Sequence, residues 1–155
     1  MKGNKKLIDE LNKRLAEELT AINQYMVHAE MCENWKYNRL QEVIRKRAIV
    51  EMVHAEKLIE RILFLEGIPV VSNLNKVHIG DQVPKMHAYD RGAEEMAVHG
   101  YNESIRLAAE VADNGTKELL EMILKEEEGH IDWIEAQLDQ IKQMGVENYL
   151  EQQIF

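Results

Sequence analysis

Six side chains stand out for the chemistry they can do together: Glu18, Glu51, His54, Glu94, Glu127 and His130. Four of them form two Glu-x-x-His pairs, Glu51 with His54 and Glu127 with His130. On a helix the i, i+3 step puts both side chains on one face, so each pair can reach a common ion. The spacing adds an independent argument. Glu51 follows Glu18 by 33 residues, Glu127 follows Glu94 by the same 33, and a shift of 76 carries the first set onto the second. Tyr25 and Tyr101 obey the same shift. One Glu-x-x-His alone reads as a surface coincidence. Two of them, each with a matching upstream glutamate, predict a two-metal site built by an internal repeat with a pseudo-twofold axis.

Those ligands interrupt apolar stripes, which is what makes them informative. Glu127 breaks the run Leu120, Leu124, Ile131, Ile134, Leu138, and Glu51 falls in register with Ile44, Leu58 and Leu65. Leu11 and Tyr25 flank Glu18, while Ala97, Val98, Tyr101 and Ile105 surround Glu94. A lone buried carboxylate is costly unless paired or bound to metal, and four converging require cations. In such a site the Glu-x-x-His carboxylates bridge two ions, with Glu18 and His54 at one end and Glu94 and His130 at the other. Four carboxylates balance two divalent ions. The mixed oxygen and imidazole set suits iron or manganese, and iron is favoured by its chemistry with O2. Tyr25 and Tyr101 either orient carboxylates as hydrogen-bond donors or pack in the core with satisfied hydroxyls.

The elements needed to hold these residues are legible as helical periodicity. A first helix is expected from Lys5 to about Lys36 and a second from about Arg39 to Glu66, with Gly67 as C-cap and Pro69 beyond. Residues 67–82 read as irregular. A third helix runs from about Val83 to Asp113, where Asn114-Gly115 reads as a stop. A fourth runs from about Thr116 to Met144, ended by Gly145, and residues 146–154 make a short fifth with Tyr149 and Leu150 as apolar contacts. Short links make each pair a hairpin, while the long 67–82 segment can run the bundle's height and set helices 2 and 3 parallel. The prediction is an all-α, ferritin-like four-helix bundle with one long crossover, and a single domain over residues 1–155.

Composition excludes several classes. With 155 residues the chain suits one hydrophobic core. A formal net charge of −9 argues against nucleic acid as a partner. Cys32 is the only cysteine, so no intrachain disulfide exists and a reducing, cytoplasmic setting is expected. The N-terminal stretch lacks a signal-peptide core, and no apolar run approaches the roughly 20 residues that span a bilayer.

Over essentially its whole length the sequence resembles the bacterioferritins, the haem-containing branch of the ferritins. The resemblance is carried by LAEELTAINQY, EMVHAEKLIERILFLEG, EEEGHIDWIEAQLDQIKQMG and the terminal ENYL. The paired Glu-x-x-His sets it apart from ordinary ferritins, and one cysteine does not fit the rubredoxin-type site of rubrerythrin-like chains. The resemblance implies that the six ligands form a ferroxidase centre with two iron ions per subunit, oxidising Fe(II) with O2 or hydrogen peroxide. It implies a homo-oligomeric shell of roughly 24 subunits, assembled from dimers, that stores ferric mineral. It implies a haem between subunit pairs with Met52 as axial ligand, and a ferredoxin-like electron donor for release. From the residues alone, Met52 points about 100° away from Glu51, toward an apolar surface of Leu19, Ile22, Asn23, Met26 and Ile49, where it serves either as interface filler or as ligand.

Some positions depart from the family pattern. Arg45, Lys46, Arg47 and Val50 stand where several relatives carry aromatic, histidine and acidic residues, which puts an auxiliary inner-surface iron site in doubt. Arg45 or Lys46 either pairs with haem propionates or belongs to a solvated basic face, and Leu58 removes a tyrosine seen in some relatives. Two other classes remain: a discrete di-iron or di-manganese oxidoreductase without a shell, and a haem electron-transfer dimer without storage.

Overall fold

The computed structural model describes residues 1–155, and all of its regular structure is helical. The helices are α1 (Lys5–Asn34), α2 (Asn38–Phe64), α3 (Val83–Glu110), α4 (Asn114–Met144) and α5 (Val146–Glu151). α1 pairs with α2 and α3 with α4 as antiparallel hairpins, and α2 and α3 run parallel across the long connection, as the periodicity and loop lengths predict. The arrangement is a ferritin-like four-helix bundle with a short C-terminal helix.

The helix ends correct the sequence reading in detail. α1, α2 and α3 all stop in the same motif, in which a non-glycine residue takes the left-handed conformation: Lys36 (φ 65°), Glu66 (φ 61°) and Ala112 (φ 58°). The next amide then bonds back to a free carbonyl, Tyr37 to Cys32 at 2.9 Å, Gly67 to Ile62 at 2.8 Å and Asp113 to Ala108 at 2.9 Å. Gly67 is therefore not the left-handed residue. It is glycine for space, because an added Cβ would lie 2.7 Å from Ile8 Cγ2. Asn114-Gly115 is no stop either. The Asp113 carboxylate accepts from the Thr116 amide at 3.0 Å, so Asn114 and Gly115 form the first turn of α4.

The crossover is held along α1 by a ladder of side chains. Asn12 bonds the Ile68 carbonyl (3.1 Å) and the Val70 amide (2.8 Å). Thr20 Oγ1 accepts from Asn75 N (2.8 Å), Gln24 Oε1 from His78 N (3.1 Å) and His28 Nε2 from Gly80 N (3.0 Å). Thr20, Gln24 and His28 follow one another at four-residue steps on one helix face. The backbone donors of a segment without secondary structure thus find partners, and the chain is carried the height of the bundle.

The apolar core comes in two parts. One gathers Leu7, Leu11, Leu15, Leu58, Ile62, Tyr101 and Leu120. The other gathers Tyr25, Ala29, Cys32, Leu40, Ile44, Met86 and Tyr149. On all four long helices the predicted ligands fall between the two, so the polar layer is clamped from both ends by close-packed side chains.

Candidate metal centre

All six predicted ligands meet in that layer. Glu18, Glu51, His54, Glu94 and Glu127 are buried and His130 is nearly so. Two overlapping groups each bring one ligand atom per residue within 4.8 Å of the others: Glu18, Glu51, His54 and Glu127, and Glu51, Glu94, Glu127 and His130. Glu51 and Glu127 belong to both. Glu51 and Glu127 would therefore serve both ions of a pair, with Glu18 and His54 at one end and Glu94 and His130 at the other.

Both imidazoles present Nδ1 to the carboxylates. His54 Nδ1 lies 3.0 Å from Glu127, 3.1 Å from Glu51 and 3.5 Å from Glu18. His130 Nδ1 lies 3.1 Å from Glu51, 3.3 Å from Glu94 and 4.0 Å from Glu127. The tyrosines cross the bundle reciprocally. Tyr25 on α1 donates to Glu94 on α3 at 2.6 Å, and Tyr101 on α3 donates to Glu18 on α1. Of the two roles open to them, orienting the terminal carboxylates is the one their geometry serves, and the 76-residue repeat is realised in space.

The electrostatics show what the layer lacks. Burial, reinforced by the Glu51 charge, pushes Glu18 well above the usual carboxylate range, and burial does the same to Glu127. Burial also acts on Glu51, but the neighbouring Glu18 and the two imidazoles outweigh it and hold that carboxyl well below its usual value. Burial disfavours the His130 cation, yet Glu51 and Glu94 raise the ring to about 9. Against the same burial, Glu127, Glu18 and Glu51 raise His54 further still. Without metal the layer is stabilised by protons standing in for cations. Even so, Glu18 Oε2, Glu51 Oε1, Glu94 Oε2, Glu127 Oε1 and His130 Nδ1 are buried without a hydrogen-bond partner. Buried polar atoms are normally satisfied. Five orphans converging from four helices, all metal-ligating atom types, fit a pair of divalent cations.

A cavity of about 340 Å³ gives access from the α1, α3 and crossover side, past Ala21, Tyr89, Gly92 and Ala93 to Glu18, Glu94 and Glu127. At its edge burial raises Glu17 to about 7, against the pull of Arg14. His130 does not line this cavity.

Several participants escaped the sequence reading. Glu126 bonds the outer nitrogen of His54, Oε2 to Nε2 at 2.8 Å. It sits in the run Glu126-Glu127-Glu128, and nothing but the offset from Glu127 distinguishes it. One turn from Glu94, Asp90 Oδ1 accepts from Gln24 Nε2 (2.9 Å) and His28 Nδ1 (2.8 Å), all three fully or almost fully buried. Arg47 joins this knot, its NH1 3.7 Å from Asp90 Oδ2. The guanidinium lies against the rings of Tyr25 (5.3 Å) and Trp133 (4.9 Å). This corrects its placement with Arg45 and Lys46 in one basic stretch. Arg45 and Lys46 are exposed, but Arg47 is buried because Asp90 offers it a counter-charge in the core. Leu58 is fully buried core.

Met52 lies away from the centre. It is 45% exposed, and Met26 and Val27 on α1 and Ile49 and Val53 on α2 are exposed as well. No helix is long and apolar enough to cross a membrane.

Comparison with known proteins agrees with this architecture. A family model for the ferritin-like domain matches residues 8–144. Bacterioferritin of Brucella melitensis is 40% identical over 149 residues, covering 96% of this chain and 92% of that protein. Bacterioferritin of Rhodobacter capsulatus is 38% identical with the same coverage of both chains. Bacterial ferritin of Synechocystis sp. is 36% identical over 155 residues, 99% of each.

Proposed function

The chain belongs to the ferritin family, in its bacterioferritin branch, and from that premise we propose that it is an iron-storing ferroxidase. The observation that carries the proposal is the set of five orphaned ligand atoms clamped between two apolar cores. The substrate is Fe(II). Glu18, Glu51, His54 and Glu127 hold one ion, and Glu51, Glu94, Glu127 and His130 hold the other. Each pair of Fe(II) supplies two electrons to O2 or peroxide and leaves as Fe(III).

This chain's own residues do the rest. The shared carboxylates Glu51 and Glu127 fix the spacing of the pair, and Tyr25 and Tyr101 hold Glu94 and Glu18 in place. The cavity beside Tyr89 admits iron and oxidant. Binding displaces the protons that Glu18, Glu127 and the two imidazoles carry without metal, so affinity falls as the pH falls. As one domain of residues 1–155, the subunit assembles with copies of itself into a shell of roughly 24 that stores the product.

A haem site also fits the residues present. The Met52 thioether is exposed, as are the apolar side chains Met26, Val27, Ile49 and Val53 on α1 and α2, so Met52 would hold the iron of the group, with apolar side chains to take the macrocycle. The group would supply electron transfer for reductive release, from a ferredoxin-like donor.

Stopped-flow oxidation of anaerobically loaded Fe(II) tests the ferroxidase claim. Glu51→Ala, Glu127→Ala and His130→Ala are expected to abolish the rapid phase with native particle mass unchanged. Wild-type rates in Glu127→Ala would sink it. A persistent dimer with a working centre would favour the discrete oxidoreductase, and Met52-dependent electron transfer insensitive to the six ligands would favour the haem dimer.

A further inference from the structure

The internal repeat allows the two ends of the centre to be compared inside one molecule. Almost everything matches under the 76-residue shift: Glu18 with Glu94, Glu51 with Glu127, His54 with His130, and the two tyrosine hydrogen bonds. Among the hydrogen bonds that other residues make to the six ligands, the match fails at one place. Glu126 bonds His54 Nε2 at 2.8 Å, and the residue corresponding to Glu126 on the other hairpin is Val50. A valine side chain has neither donor nor acceptor, and His130 Nε2 makes no hydrogen bond or ion pair. The consequence is visible in burial. The His54 side chain is 0% exposed and that of His130 is 18% exposed.

Resting on the two-metal reading above, we propose that the two positions are unequal. Glu126 makes the His54 position the tight, first-filled one, and Val50 leaves the His130 position the exchangeable one. In both rings Nδ1 faces the carboxylates, so Nδ1 is the ligating atom and Nε2 carries the hydrogen. A carboxylate accepting that hydrogen fixes the tautomer, locks the ring plane and raises the basicity of the ligating nitrogen. Removing such a partner typically lowers metal affinity about 10–100-fold. His54 has this support and His130 has none. Glu126 is thus a positioning residue, acting through His54. The terminal carboxylates do not offset the difference, because Glu18 and Glu94 are each held by a tyrosine. The His130 ring is also partly exposed without lining the cavity on the α1 and α3 side.

Cobalt(II), which O2 does not turn over here, reports position without turnover. Crystals of the full-length protein grown with less than one equivalent of cobalt per chain are read by anomalous scattering. The expected peak at the His54 position exceeds that at His130 about tenfold or more. Glu126→Ala, at a half-exposed position the fold does not depend on, is expected to bring the two peaks toward equality, and Val50→Glu to raise the His130 peak. Equal peaks in the wild type, a larger peak at His130, or a ratio unchanged in Glu126→Ala would overturn the inference while leaving the two-metal reading intact. No peak at either position would overturn the two-metal reading itself.

Discussion

One turn apart on α3, Asp90 and Glu94 each enter a buried polar assembly, and the two assemblies are finished differently. Around Asp90 the protein supplies its own partners. Gln24 and His28 donate to one oxygen, the Gly80 amide fixes the His28 tautomer, and Arg47 faces the other oxygen from 3.7 Å. Around Glu94 the donors run out, and five ligand atoms are left without partners. The knot at Asp90 closes the crossover onto α1, and although Asp90 Oδ2 and Arg47 NH1 make no hydrogen bond, each faces the other's charge, so the knot is neutralised from within the fold. On the reading proposed above, cations complete the layer at Glu94. Burial of charge is common to both, so burial alone does not identify a site. Unmet hydrogen-bonding capacity gathered on five convergent atoms of metal-ligating type does.

Substitutions should separate the two assemblies, and the largest effect is expected at the centre. Glu127→Ala removes a carboxylate shared by both metal positions and should lower paired-metal binding by at least about 100-fold. Its metal-free stability should be unchanged or higher, since a buried acid with an orphaned oxygen is removed. Calorimetry with and without Fe(II) checks both. Asp90→Ala is expected to do the opposite. It leaves Arg47 buried without its counter-charge and should destabilise the fold by about 3–5 kcal/mol, while the folded fraction still binds metal. Denaturant unfolding measures the first part and metal content of the native fraction the second.

A third prediction uses pH beside the knot. Burial holds His87 down at about 4, with Arg47 and His28 reinforcing and Asp90 opposing, against 6.5 for a free imidazole. The folded value is depressed, so the unfolded chain takes up the proton first as pH falls. Stability present above pH 6.5 should be lost between about 6.5 and 4, by about 3 kcal/mol in total. His87→Phe should flatten that limb of the metal-free protein's unfolding profile. An unchanged limb would assign the acid loss elsewhere.

The smallest effects concern packing around the centre. Gly100 on α3 lies under the buried Arg14, where an added Cβ would meet the guanidinium at 1.8 Å. Gly100→Ala should destabilise by about 1–3 kcal/mol. Thr20→Val removes the acceptor for the Asn75 amide and should cost about 1 kcal/mol, with faster hydrogen exchange confined to the crossover. Uniformly faster exchange would deny the ladder its role.

Much of this was legible in the sequence because it is periodic. Carboxylates standing in leucine stripes and a repeat of 76 residues single out the six side chains that the fold brings together, and loop lengths give the parallel setting of α2 and α3. What was illegible depends on partners far apart in the chain. Arg47 reads as surface charge until Asp90, Tyr25 and Trp133 are brought to it. Glu126 is one of three consecutive acids until His54 Nε2 selects it. Asn12, Thr20, Gln24 and His28 share a face, but that they serve a strand-less crossover shows only once the chain is folded over them. Helix ends moved because Glu66 and Ala112 take left-handed conformations, whereas the sequence reading put the stops at Gly67 and Asn114-Gly115.

The most direct test of the central claim is the number of Fe(II) ions bound per chain under anaerobic equilibrium dialysis. Two per chain in the wild type, magnetically coupled through shared carboxylates and lost together in Glu127→Ala, is the predicted result. One uncoupled ion, or two that survive removal of Glu127, would contradict a centre shared between the hairpins.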